Sequence, residues 1–193
     1  MSQLEFSKPV LVFDFESSGF VNSANGDVTD IGDPTQLGAI LLNPQTLEEE
    51  SAFCSDIRCN PDRLVDWVLE HTDMTRDRAS AAPEPKQVAE KFLAQFSTDV
   101  YLASWNVSFD RRWLAQLMSS IGHNDSLFDY HHIDVWTLAY THLAQRGKGD
   151  IIKSEQVFAE FGQSARGAHN ALDDCRRTAE VLRTIVLEAG SPA

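Results

Sequence analysis

The sequence predicts an α/β domain, a mixed β-sheet of about five strands flanked by helices. Three observations predict it. Three strand-like segments come first, and strands then alternate with helix-like segments to the end of the chain. The strand-like segments are β-branched and aromatic and are bounded by turn residues, whereas the helix-like ones carry apolar residues at helical spacing. With 193 residues, 42% of them hydrophobic, there is enough apolar material for one domain with a core.

Taken in order, residues 10–15 read as a buried strand running into Ser17-Ser18-Gly19. Residues 22–34, rich in Asn, Gly, Asp and Pro, read as a loop. A second strand follows at 37–42 and a third at 49–56, with the Asn43-Pro44 turn between them. Asn60 before Pro61 predicts a helix N-cap with proline in the first turn, opening a helix towards His71. Residues 84–96 place Val88, Phe92, Leu93 and Phe96 on one helical face. A fourth strand is expected at 99–103, and then a helix capped by Ser108 with Trp113, Leu114, Leu117 and Ile121 at helical spacing. A short strand at 132–135 leads into a helix ending near Gly147. A short helix at 154–161 and a long one from Asn170 to Ala189, stopped by Gly190, complete the chain.

Composition narrows the function classes. The longest apolar runs, at 10–13 and 37–42, are far short of the ~20 residues that span a bilayer. Residues 1–9 include charges and lack the apolar segment of a secretory leader. The three cysteines, Cys54, Cys59 and Cys175, form no CxxC pair and suit free thiols in a reducing cytoplasm. One cytoplasmic domain over residues 1–193, with its core at about 9–189, and no membrane partner is the expectation. The 16 basic and 29 acidic residues give a formal charge of −13, which argues against a long duplex-binding surface. Carboxylates gathered at bound divalent cations would contribute to that charge, and the ions would restore attraction for a phosphate.

Three short segments carry candidate chemistry. Asp14 and Glu16 lie two apart at the end of the first strand, so both carboxylates share one face. Alone, the pair is equally compatible with solvated strand-end acids. Asp110 falls in the first turn of its helix, after Asn106 and Phe109, where an acid complements the helix dipole. His169 enters the last helix with Asp173 and Asp174 behind it. The dipole explains Asp173 and leaves His169 unexplained. Among the aromatics, Phe20 and Phe109 flank these segments and either pack or stack on bases. Trp67 and Trp113 read as core, and Trp105 is open between the two.

Together, Asp14-Phe15-Glu16-Ser17-Ser18-Gly19, Asn106 to Phe109-Asp110, and His169 to Asp174 resemble the three ordered motifs of the DEDDh, or DnaQ-like, 3'→5' exonucleases. The resemblance spans about residues 10–187 and implies a ribonuclease H-like fold. It also implies two divalent cations, Mg²⁺ with Mn²⁺ as a substitute, held by Asp14, Glu16, Asp110 and Asp174. Asp14 would bridge the two ions, Asp110 would act through water, and His169 would be the general base. Asp173 falls one position early for a ligand, and Asp134 lies outside the family's ligand set. Ser18 stands where the family has threonine, Phe20 where it has an aliphatic residue, and the loop that follows is longer.

The implied substrate is a nucleic acid with a free 3' end, single-stranded DNA or RNA, from which nucleoside 5'-monophosphates are released. Phe20, Asn106 and Phe109 are the substrate-contacting candidates. Asp110-Arg111-Arg112 and Leu172-Asp173-Asp174 also resemble oligoribonuclease, which degrades short RNA. A polymerase-associated proofreading module is a further alternative, although residues 188–193 offer no clamp-binding peptide. Relatives are often dimers, so a second copy of the chain is a candidate partner.

Overall fold

The first strand can lie at the centre of a sheet because its first four residues have no need of water. In β1 (Val10–Ser17), Val10 to Phe13 and Phe15 are buried, while Asp14, Glu16 and Ser17 are only half-buried. The computed structural model describes residues 6–22, 28–123, 127–163 and 169–189. Around β1 stand β4 (Pro34–Leu42), β5 (Glu49–Asp56), β6 (Tyr101–Ser104) and β7 (His132–Asp134), in the order β5-β4-β1-β6-β7. The β5–β4–β1 pairs are antiparallel and the β1–β6–β7 pairs parallel, as a mixed sheet requires. A separate two-stranded ribbon joins β2 (Val21–Asn22) to β3 (Val28–Asp30).

Helices cover both faces. Leu11, Phe13 and Phe15 pack with Val88 and Phe92 of α3 (Pro85–Gln95) and with Trp113 and Leu114 of α4 (Val107–Ser119). On the other face, Val10 and Val12 meet Val135 and Ala139 of α5 (Val135–Ala144). There they also meet Phe158 of α6 (Ser154–Glu160) and Cys175 and Leu182 of α7 (Ala171–Ala189). Each Val, Leu or Phe side chain so removed from water contributes about 1.5–3 kcal/mol. Side chains alternate along a strand, so Asp14 and Glu16 point to the face of Val10 and Val12, which α7 covers.

Several local expectations are revised. Part of the 22–34 loop is the β2–β3 ribbon, its residues 23–27 lying outside the described ones, and β4 starts at Pro34. Asn60 does cap, accepting from Asp62 N at 3.0 Å, but the helix is only a 3-10 turn at Pro61–Arg63. The chain then extends because Val65 N donates to Ser18 O, and α1 (Asp66–His71) begins afresh. An additional helix, α2 (Arg76–Ala81), is opened by Thr75, whose hydroxyl accepts from Arg78 N. The cap of α4 is Asn106 rather than Ser108, since Val107 N donates to Asp134 Oδ2 and is already helical. Asp134 Oδ1 in turn caps α5 through Thr137 N. The proposed stop signal Gly190 lies outside the described residues. Among those described, no helix is long and apolar enough to cross a membrane.

Candidate active site

The end of β1 is where polar groups enter the core, and its two edges position them differently. Along β4, Asp14 stands opposite Gly38 and Glu16 opposite Gln36. A Cβ on Gly38 would lie 2.3 Å from the Ala171 carbonyl carbon and 2.4 Å from Leu172 N, so only glycine admits the start of α7 this close. Beyond Ser17, Gly19 has φ +101° and lies against Val65, where a Cβ would come within 2.2 Å of its Cγ2. The glycine of the first motif is therefore required by both backbone angle and space.

Asn170 caps α7: its Oδ1 accepts from Leu172 N at 3.1 Å and from Asp173 N at 3.3 Å. Asp174, 4% exposed, follows in the first turn and faces the sheet. Arg177, one turn on, pairs with Asp174 Oδ1 at 3.3 Å and lays its guanidinium over the Phe158 ring, 4.2 Å from the centroid. The His169 backbone bridges to Thr72, which brings Nδ1 to 3.9 Å from Glu16 Oε2. One donor atom from each of Glu16, His169 and Asp174 lies within 4.8 Å of the other two.

Asp14 and Asp110 stand outside that trio. Parallel pairing of β1 with β6 stops after Val12 and Ala103, and α4 begins soon after β6 ends. The Phe15 N–H on this edge, no longer needed by a ladder, donates to Asp110 Oδ1 at 3.0 Å. Ser104, fully buried, donates its hydroxyl to Asp110 Oδ2. Burial pushes the Asp110 carboxyl up to about 7, against the pull of the Ser104 and Phe15 hydrogen bonds. Cys175, wholly buried behind α7, has its thiol pushed well up by burial and then by Asp14, Asp110 and Asp174. With Asp14 and Glu16 on β1, Asp110 bonded to Phe15 N and Asp174 beside Glu16, the carboxylates gather at the end of β1.

A cleft of about 530 Å³ opens over these groups, lined by Asp14, Glu16, His169, Asn106, Phe20, Phe109 and Trp67 among others. Phe20 is 46% exposed and meets Phe109 edge-on at 5.9 Å. Phe109 packs at the core margin and also lines the cleft. Asn106 is exposed at the cleft, with Oδ1 accepting from the Ser108 hydroxyl.

Trp67 corrects its reading as core. It is 51% exposed, stacks on His71 at 5.0 Å and meets His169 edge-on at 5.2 Å, because α1 is a short helix laid beside the cleft. Trp113 is buried, and Trp105 stacks on Phe158 and donates to Ser154, both structural roles. Asp173 has an exposed side chain on the outer side of α7. Sequence reasoning overlooked Gly38, Gln36 and Arg177. Only the Gln36-Leu37-Gly38 stretch beside the first motif carried a readable signal, a polar residue and a glycine inside an apolar strand.

A five-stranded mixed sheet between helices, with carboxylates gathered at the end of its central strand, is the ribonuclease H-like arrangement. Residues 11–182 match the family model described as exonuclease, of the RNase T type, and the chain belongs to that family. The DNA polymerase III PolC-type of Clostridium perfringens is 24% identical over 178 residues, 92% of this chain. The chain spans only 11% of that relative's length. Among solved structures, the nuclease domain of 3'hExo, a DEDDh family member bound to rAMP, superposes with a TM-score of 0.69 at 20% identity. That likeness covers 95% of this chain and 93% of the other. E. coli Exonuclease I in complex with a dT13 oligonucleotide gives 0.70 at 16% identity, over 93% and 41%. At these identities the structural likeness establishes the fold.

Proposed function

We propose that this chain is a metal-dependent 3'→5' exonuclease, a single domain that removes nucleoside 5'-monophosphates from single-stranded 3' ends. The observation that carries the proposal is the Glu16–His169–Asp174 trio, of which Glu16 and His169 line a cleft that the exposed rings of Phe20 and Trp67 also border. Carboxylate oxygens are suitable donors for hard cations such as Mg²⁺ or Mn²⁺, and the 4.8 Å spread of the trio is compatible with a shared ion. Glu16, Asp174 and Asp14 would hold such ions directly. Asp110, whose two oxygens already accept from Phe15 N and the Ser104 hydroxyl, would act through water. What two divalent ions supply when bound is a water of lowered pKa and compensation of charge on the attacking and leaving oxygens.

The protein's own groups do the rest. His169 takes the proton of the attacking water at a ring nitrogen, a task suited to an imidazole whose ordinary pKa is near ~6.5. Phe20, Phe109 and Trp67 present faces and edges on which terminal bases stack. Arg112, exposed one turn along α4, holds its guanidinium 5.4 Å from the Phe109 ring centroid, where it can meet a backbone phosphate. Arg111 instead turns away to Tyr130 O and His132, so the Arg111-Arg112 pair contributes one cation here. With a −13 chain around it, this is a short grip.

The geometry favours one second reading, in which His169 is a ligand rather than the base. The test is to challenge the protein with labelled single-stranded DNA, duplex DNA, RNA and a dinucleotide, each with Mg²⁺ and with EDTA. We expect stepwise loss of monophosphates from the 3' end with Mg²⁺ only; full activity after EDTA treatment would overturn the metal reading. Activity greatest on the dinucleotide would support the oligoribonuclease alternative, and preference for a mismatched primer end the proofreading one. His169→Ala should lower turnover by roughly 10²–10⁴-fold while leaving Mn²⁺ affinity by calorimetry unchanged. A large loss of that affinity would make it a ligand.

A further inference from the structure

The polar row that begins at Glu16 continues across the sheet. Gln36 faces Glu16 across the β1–β4 ladder and Asp56 faces Gln36 across the β4–β5 ladder, so the three side chains share one face. Gln36 is only 5% exposed, and a buried amide is costly unless both its ends are satisfied. Its Oε1 accepts from Ala171 N at 3.0 Å, and its Nε2 donates to Asp56 Oδ1 at 2.9 Å. Arg78 of α2 grips Asp56 with both arms of its guanidinium, Nε to Oδ2 at 2.7 Å and Nη2 to Oδ1 at 2.8 Å.

This chain of contacts has a direction. An ionised Asp56 can only accept, so it faces the amide nitrogen of Gln36 and leaves the amide oxygen for Ala171. A flipped amide would set oxygen against oxygen at Asp56 and donor against donor at Ala171. Arg78 keeps the carboxylate charged and in place through a bidentate pair.

Ala171 is the first residue of α7, between His169 and Asp174. The next two amides of the helix are satisfied by Asn170 Oδ1 and the fourth by Asn170 O. The Ala171 N–H alone among the four is satisfied from the sheet, two residues along β4 from the Gly38 contact. Gln36 and Arg78 also border a cavity of about 20 Å³ together with Glu16 and His169.

We infer that Arg78, Asp56 and Gln36 form a positioning relay that seats the first turn of α7 on the sheet and so sets His169 and Asp174 against Glu16. Its effect on turnover rests on the exonuclease reading; its effects on metal binding and on the Ala171 amide do not.

The relay is tested in the full chain with Gln36→Leu, Gln36→Glu, Asp56→Asn and the double variant Gln36→Glu/Asp56→Asn. The measurements are Mn²⁺ affinity by calorimetry, exchange of the Ala171 amide by NMR, and kcat and KM on a 3'-hydroxyl oligonucleotide. Gln36→Leu should weaken Mn²⁺ binding and lower kcat by roughly 10–100-fold each, the usual cost of losing a group behind the ligands. KM should change little, and the Ala171 amide should exchange faster. Gln36→Glu should do the same by opposing two carboxylates, and adding Asp56→Asn should restore a donor–acceptor pair and recover most of both losses. A folded Gln36→Leu with wild-type Mn²⁺ affinity would overturn the relay. So would a double variant no better than Gln36→Glu, a comparison that holds even if Gln36→Leu does not fold. If the wild-type chain leaves every oligonucleotide intact, the exonuclease reading fails, while metal affinity and amide exchange still judge the relay.

Discussion

Along β4, the β1 ladder runs the length of the strand, from Val10 opposite Leu42 to Ser17 opposite Pro34; along β6 it covers only Val10 to Val12. The continuous edge fixes register, and a slip of one residue would turn Asp14 and Glu16 to the opposite face. It also places Gly38 and Gln36 beside them, where α7 docks. The interrupted edge does the reverse. By ending early it frees the Phe15 N–H and lets Asp110 reach the strand from α4. The difference teaches that carboxylates are brought to this sheet in two ways, by register where pairing is complete and by hydrogen bonds to released backbone where it is not.

Of the two edges, the continuous one is expected to cost more when broken. Gly38→Val should force the backbone of Ala171 and Leu172 away, costing about 1–3 kcal/mol in urea unfolding. Turnover should drop by about 10²-fold, since a displacement of ~1 Å at a catalytic centre has that cost. Retention of wild-type turnover would mean that α7 docks without the Gly38 contact.

A smaller effect is expected at the interrupted edge. Ser104→Ala removes one of the two donors to Asp110, and turnover should fall roughly 10-fold, at the low end for groups that support ligands. In the metal-free protein the Asp110 carboxyl should titrate still higher, because the lost hydrogen bond favoured its ionised form. A carbon-detected NMR titration of the side-chain carboxyl measures this, and a downward shift would contradict it.

The smallest effect is on stability against pH, where the two edges should differ in sign. Burial pushes Asp110 up to about 7. At Asp56 burial also pushes upward, but hydrogen bonds from Arg78 and Gln36 outweigh it and hold the carboxyl below its ordinary value. Both should titrate near ~3.9 in the unfolded chain. Stability linked to Asp110 is therefore full below about pH 4 and lost as pH rises through about 7. Stability linked to Asp56 is present above about pH 4 and lost as pH falls through its lower folded value. Melts of EDTA-treated protein should show Tm falling by a few degrees from about pH 5 to 8. Asp110→Asn should flatten that limb and Asp56→Asn the acid one; a limb unchanged by its own substitution would remove that carboxyl as its source.

Much of this was legible in the chain. The alternation that points Asp14 and Glu16 one way is a property of any strand, and the cap at Asn60 follows from a side chain that bonds its own neighbour. What misled was local reading of residues whose partners are distant. Trp67 has helical neighbours that suit a core, yet α1 leaves it at the cleft because Val65 is tied to Ser18. Ser108 suits a cap, yet Asp134 takes the Val107 amide first. The Phe15–Asp110 and Gln36–Ala171 bonds join residues 95 and 135 positions apart, beyond the reach of any periodicity.

By itself, then, the amino-acid order determined which residues are chemically able to act: carboxylates on one strand face, a histidine and an aspartate at one helix start, and the ordered motifs of an exonuclease family. These depend on residue type and on periods of two and 3.6, which are written locally. Only the tertiary structure decided which of them meet. The Glu16–His169–Asp174 trio, the inward turn of Asp110, the exposed Trp67 and the Arg78–Asp56–Gln36 row depend on strand register and on how closely α7 approaches the sheet. Those are set by side chains from different segments packing together, and no single segment encodes them.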